Sequence, residues 1–142
     1  MKNPIKTYLK NEIEGATKGK LVLLLYDGAI KYMKLACKYI DDKNIPEAHL
    51  NIVKAENIIY ELMSTLNMEA GGEIAENLLK LYDFMVYQLI MANKDKDKSK
   101  IESVIKIMMI LREGWKQIVD KEEKVDIKGN DEVVQKKINI SG

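Results

Sequence analysis

The sequence predicts an all-α protein: an antiparallel up-down-up-down four-helix bundle preceded by a short N-terminal cap segment. Three observations predict it. Apolar residues recur at three- and four-residue spacing in four successive blocks, each block runs for about 20 to 24 residues, and polar or glycine-rich punctuation falls between them. Helices of that length span roughly 30 to 36 Å, and connections as short as these turn each helix back along the one before it.

The first block, from about Lys18 to Asp41, carries two parallel stripes, Leu21, Leu25, Gly28, Tyr32, Leu35, Tyr39 and Val22, Ala29, Met33, Ala36, Ile40. An apolar face that broad is expected to meet more than one neighbour. The second block, about Pro46 to Leu66, follows Asn44 and Pro46, which suit a helix cap and first turn. Its stripe is Ala48, Ile52, Ala55, Ile59, Leu62, Leu66. Asn67 and the pair Gly71-Gly72 separate it from the third block, about Glu73 to Ala92, with Ile74, Leu78, Leu81, Met85 and Leu89. The charged run Lys94 to Lys98 leads into the fourth, about Lys100 to Glu122, with Ile101, Val104, Met108, Leu111, Trp115 and Ile118. Ser99 followed by Glu102 reads as a capping box for that helix.

Two segments stand outside this scheme. Residues 1–15 hold a short amphipathic patch, Ile5, Tyr8, Leu9 and Ile13, too short to be a stable helix alone but able to dock. Beyond Lys124 the apolar residues lose their helical period. The expectation is therefore one domain over residues 1–123, and a tail over 124–142 that is disordered or weakly docked.

A chain of 142 residues is long enough for one domain with a core of its own. Net charge is +1 and Arg112 is the only arginine, so nothing favours nucleic acid, which calls for a basic surface and the planar fork of arginine. Cys37 is the only cysteine, which excludes an internal disulfide framework and a cysteine-based metal site. The N-terminus lacks an apolar signal region and no run of about 18 apolar residues occurs. Those features predict a cytosolic protein that does not insert in membranes.

Catalytic chemistry finds little support. His49 is the only histidine and has no partners in sequence that would make a triad; it reads as a surface residue. A di-iron centre of the ferritin kind needs two Glu-x-x-His motifs, and no phosphate-binding glycine loop or zinc spacing is present. The expectation is a protein without catalytic residues, metal or cofactor. Two other features are more informative. Leu25-Tyr26-Asp27 and Leu81-Tyr82-Asp83 repeat a tyrosine–aspartate pair at the edge of an apolar stripe, which suggests a shared surface. The third and fourth blocks also carry apolar residues beyond what their stripes require, among them Phe84, Tyr87, Ile90, Met109 and Ile110. Surplus apolar surface of that kind is the footprint of a partner.

Several strings together resemble the FliS family of flagellar export chaperones. Ala16-Thr17 with Leu21 to Ile30 is similar to the first long helix of that family. Lys54-Ala55, Ile58-Ile59, Leu62 and Thr65-Leu66-Asn67 are similar to the second. Gly72 to Ala75, Asn77-Leu78, Leu81 to Met85 and Ala92-Asn93 are similar to the third, and Leu111-Arg112 with Trp115 to the fourth. The resemblance covers about residues 5 to 122, in order. It implies a cytosolic bundle that binds the disordered C-terminal segment of flagellin in apolar grooves, blocks its premature polymerisation and keeps it competent for export. It also implies that the N-terminal segment around Tyr8 caps a groove until displaced. On the matching positions the expected groove residues are Tyr8, Tyr26, Ile30, Lys54, Ile58, Leu78, Tyr82 and Met85. Other flagellar export or assembly proteins are further expected partners. The alternative is a helical adaptor that self-associates, as a homodimer, through the same surplus apolar face.

One departure from the family pattern concerns the start of the first helix. Where the family carries Thr-Pro-x-Glu, this chain reads Thr17-Lys18-Gly19-Lys20. Lysines in a first turn oppose the helix dipole, at a cost of roughly 0.3 to 1 kcal/mol each, so Lys20→Glu is expected to raise stability.

Overall fold

The computed structural model describes the backbone of residues 18–141 and the side chains of residues 18–121. Four helices fill it: α1 (Lys18–Asp41), α2 (Ile45–Ser64), α3 (Met68–Asp95) and α4 (Lys98–Ser141). α1 packs on α2 and α4, and α3 packs on the same two. The helices thus close a four-helix bundle in which α1 lies diagonally opposite α3. Along α1, Asp27 pairs with Arg112 and Asp41 with Lys98. Rising positions on α1 therefore meet falling positions on α4, and Gly28 against Ile58 with Tyr32 beside Lys54 repeat that order between α1 and α2. This is the order expected of neighbours that turn back on each other. The segment around Tyr8, expected as a cap, lies outside the described residues.

The core is one continuous cluster. Tyr26, Met33, Ile52, Ile59, Leu62, Tyr82, Met85, Leu89, Ile101, Val104 and Met108 are its largest fully buried side chains, and each such group contributes roughly 1.5 to 3 kcal/mol by leaving water. Of the two stripes on α1, the one that includes Val22, Ala29, Met33 and Ala36 forms the centre, while Leu21 and Tyr32 pack at its edge. Asn51 is the buried polar residue among those described, and its amide donates to the Glu47 carbonyl at 2.8 Å.

The helix starts partly match the sequence reading. Asn44 caps α2 through the Glu47 amide, with proline in the first turn. Two expectations need correction. The third helix starts earlier than about Glu73: Asn67 caps a first turn that begins at Met68, accepting from the Ala70 amide at 3.0 Å. Gly72 then breaks that helix with φ of 51° and ψ of −129°, a conformation that only glycine adopts without strain. Likewise the cap of α4 is Asp97, not Ser99. The Asp97 carboxylate accepts from both the hydroxyl and the amide of Ser99, at 2.6 and 3.0 Å. A carboxylate is the better partner for the positive end of a helix, and the Ser99 hydroxyl in particular holds Asp97 below the usual carboxylate range.

The α4 backbone is helical to Ser141, past the point where the apolar period fades. Elongating an existing helix requires no new nucleus, so an irregular apolar pattern does not end it. Val119 is the last buried side chain on α4 among the described residues.

Candidate functional site

The break at Gly72 shapes one end of the bundle. Next to that break lies a cleft of about 320 Å³. Leu66, Ile74, Leu78, Tyr82, Trp115 and Ile118 wall it, with Lys18 and Gly19 at the start of α1 on its rim. Ile74 is 73% exposed and Ile118 49%, so the sequence stripes that predicted both as core end early. On α3 the buried line instead runs through Ala75, Tyr82, Met85 and Leu89, and on α4 it shifts to Val119.

The floor of the cleft is aromatic and polar at once. The hydroxyls of Tyr26 and Tyr82 meet across the diagonal of the bundle at 2.5 Å. Burial pushes both phenols above their ordinary range; for Tyr26, the Tyr82 hydroxyl and then the nearby Trp115 act against that rise. The two phenols therefore stay neutral and lock α1 to α3 through the centre of the fold.

The eight groove residues expected from sequence fall in different places. Leu78 and Tyr82 line the cleft, although Tyr82 is almost wholly buried and reaches it only as part of the floor. Tyr26 and Met85 have no exposed surface. Ile58 lies half-buried against Gly28, where a Cβ would stand 3.1 Å from its Cδ1. Lys54 is exposed, with its ammonium 5.3 Å from the centre of the Tyr32 ring. Ile30 is buried in the core and reaches the surface beside Asp27 and Lys34, away from the cleft. Tyr8 is outside the described residues. The tyrosine–aspartate pairs share one core hydrogen bond through their tyrosines, while Asp27 turns outward to Arg112.

What the sequence reading left in the core stripes, namely Ile74, Trp115 and Ile118, are the groups the cleft exposes or half-exposes. The surplus apolar residues named from sequence, Phe84, Tyr87, Ile90, Met109 and Ile110, are all exposed. His49 is a surface residue, accepting at Nδ1 from the Asn93 side-chain amide at 2.9 Å. Burial, and then the charge of Glu102, push the Cys37 thiol up to about 11. No helix among the described residues is long and apolar enough to cross a membrane.

A four-helix bundle with one apolar cleft and a surplus of exposed aliphatic and aromatic groups has the build of a helical polypeptide-binding module. Comparison with known proteins makes the class specific. The family model described as flagellar protein FliS matches residues 1–122, and the chain belongs to that family. The flagellar secretion chaperone FliS of Bacillus subtilis is 34% identical over 124 residues, which cover 87% of this chain and 92% of the relative. That of Vibrio cholerae is 36% identical over 122 residues, 83% of this chain and 90% of the relative, and that of Salmonella typhimurium 35% over 122 residues, 82% and 90%.

Proposed function

We propose that this chain is a cytosolic flagellar export chaperone that holds the C-terminal segment of flagellin on its apolar cleft, preventing premature polymerisation and keeping the client fit for export. The observation that carries the reading is the cleft between Ile74, Leu78, Trp115 and Ile118, together with the family's name. Flagellin segments that coil together in a filament carry apolar faces when unpaired, and an apolar cleft covers such faces. Folding a disordered client on the surface costs about 2 to 5 kcal/mol of the contact energy, so the wider exposed surface on α3 and α4 belongs to the interface as well. Leu78 and Tyr82 of the expected groove residues keep that role directly; Tyr26 and Met85 support it from beneath.

The segment around Tyr8 caps the cleft in the free protein. In favour of this, Lys18 and Gly19, the first described residues, sit on the cleft rim. Residues 1–123 form the chaperone domain, and the helical extension of α4 adds to it. Other flagellar export or assembly proteins are further partners.

Calorimetric titration with a C-terminal fragment of the cognate flagellin tests the proposal. Saturable one-to-one binding with a negative heat-capacity change is expected, weakened by Ile118→Ser without loss of helical signal. Ile118 is the better probe than Tyr82, because its side chain is exposed and its loss leaves the core intact. Absence of binding by a folded sample, with mass rising with concentration, would replace this reading by the self-associating adaptor.

A further inference from the structure

A net charge of +1 conceals an uneven distribution. α1 carries five lysines against two aspartates, whereas α3, its diagonal opposite, carries five carboxylates against two lysines. The basic residues do little for α1 as a helix. Lys18 and Lys20 stand in a first turn that favours negative charge, and only Lys38, in the last turn, suits the dipole.

Lys31, Lys34 and Lys38 are exposed and follow one another at spacings of three and four, so they form one row along the outer side of α1. Counter-charges stand close by in the sequence. Asp27 comes four residues before Lys31 and Asp41 three after Lys38, separations at which ion pairs form along a helix. The fold directs both elsewhere: Asp27 pairs with Arg112 and Asp41 with Lys98, both on α4. No described carboxylate pairs with any of the three lysines. Lys31 instead stands 5.7 Å from the centre of the Tyr32 ring, and Lys54 of α2 stands 5.3 Å from the same centre. Two ammonium groups thus gather at one aromatic ring.

The row also has an apolar floor. Ile30 and Leu35 line the same shallow depression as the three lysines; Ile30 is buried and Leu35 half-buried. Apolar groups so recessed are reached by a projecting side chain and not by a flat lipid surface. The row contains no arginine fork of the kind that reads phosphates and base edges.

We propose that this row is a docking site for an acidic segment of a second protein, which sets an apolar side chain over Ile30 and Leu35 and carboxylates against Lys31, Lys34 and Lys38. The site shares no residue with the cleft, and it stands whether or not the client of the cleft is flagellin. Arg112 and Lys98 act as positioning residues, because they hold the aspartates of α1 on α4 and leave the charge of the row uncompensated.

Binding of three probes to the full chain tests the proposal: a synthetic helical peptide with glutamates three and four residues apart beside a leucine, a polyglutamate of equal charge, and phosphatidylglycerol vesicles. The peptide should bind, more weakly as salt rises, and better than polyglutamate. Lys31→Gln/Lys34→Gln should weaken peptide binding about tenfold, and Leu35→Ser should weaken it as well. Circular dichroism and flagellin-fragment binding should be unchanged in both variants. Arg112→Gln, which releases Asp27 toward Lys31, should weaken the peptide too although it leaves the row itself intact. Failure of the peptide to bind, or equal binding of polyglutamate with Leu35→Ser silent, would reduce the row to a solvated charged face and overturn the proposal. Binding of vesicles in place of the peptide would assign the row to a membrane surface, and loss of flagellin-fragment binding in the lysine variant would merge it with the client site; either result overturns the proposal. If the unmodified chain binds the peptide and not the flagellin fragment, the chaperone reading fails and the acidic docking site remains.

Discussion

Where α1 meets α2 the bundle is closed. Ala29, Ala36, Ala48 and Ala55 have no exposed surface, and Gly28 lets the two helices approach until Ile58 fills the space. Along α3 and over Ile110 to Ile118 of α4 it is open, and Ile74, Phe84, Tyr87, Ile110 and Ile118 face outward. Small residues stand where two helices must meet, and large apolar ones stand where nothing in the described chain meets them. The contrast separates residues that hold the fold from residues available to a partner, although both kinds sit on apolar stripes in the sequence.

Substitutions on the two sides test that separation, and the largest effect belongs to the closed side. Ile59→Ala should cost about 2 to 5 kcal/mol, because the residue is fully buried and the rigid surroundings cannot collapse around the cavity. Ile74→Ser, on the open side, should change stability by less than about 0.5 kcal/mol yet weaken flagellin binding. Denaturant unfolding and calorimetry on both variants check the pair, and equal destabilisation would erase the distinction between the sides.

An intermediate effect is expected where the two sides are joined, at the Tyr26–Tyr82 contact. Tyr26→Phe leaves the Tyr82 hydroxyl without its buried partner, at about 1 to 3 kcal/mol. The double variant Tyr26→Phe/Tyr82→Phe should cost less than the two single changes added, because neither orphan remains. The pH dependence follows from the same contact. Both phenols titrate above their ordinary value in the folded state, so their contribution is complete below the unfolded value near about pH 10 and is lost as pH rises above it. Chemical denaturation on either side of that pH should show stability falling in the native chain and falling less in the double variant.

The smallest effect lies at the start of α1, where the first turn contains no acidic residue. Lys20→Glu should raise stability by about 0.3 to 1 kcal/mol at low salt, an increase that shrinks with added salt. A lowered unfolding midpoint would count against a dipole cost at this turn.

Most of the fold was legible in the sequence, because helical period and capping are local. Asn44 with Pro46 marked the start of α2, and the charged run from Lys94 marked the end of α3, where Lys96 takes a left-handed conformation. The failures were also local in origin. Gly72 does break the helix, but the turn from Met68 that Asn67 caps ahead of it reads in sequence as part of the separator. Asp97 outcompetes Ser99 as a cap by charge rather than by motif. Less of the site was legible. Leu78 and Tyr82 reached the cleft, but Tyr26 and Met85 share the stripes, residue types and spacing of a groove while lying in the core. Periodicity tells which face of a helix is apolar; it does not tell what covers that face.

By itself the sequence determined that four apolar-striped helices would form, that they carried more apolar surface than their own packing required, and, through its strings, which family they resembled. Those are properties of residue order, set by backbone geometry and side-chain chemistry within a few turns. The tertiary structure alone decided which stripe became core and which became cleft. Burial is a relation between helices: the drift of each stripe around its axis, the break at Gly72 and the Tyr26–Tyr82 contact across the diagonal together set where α3 and α4 stop covering one another.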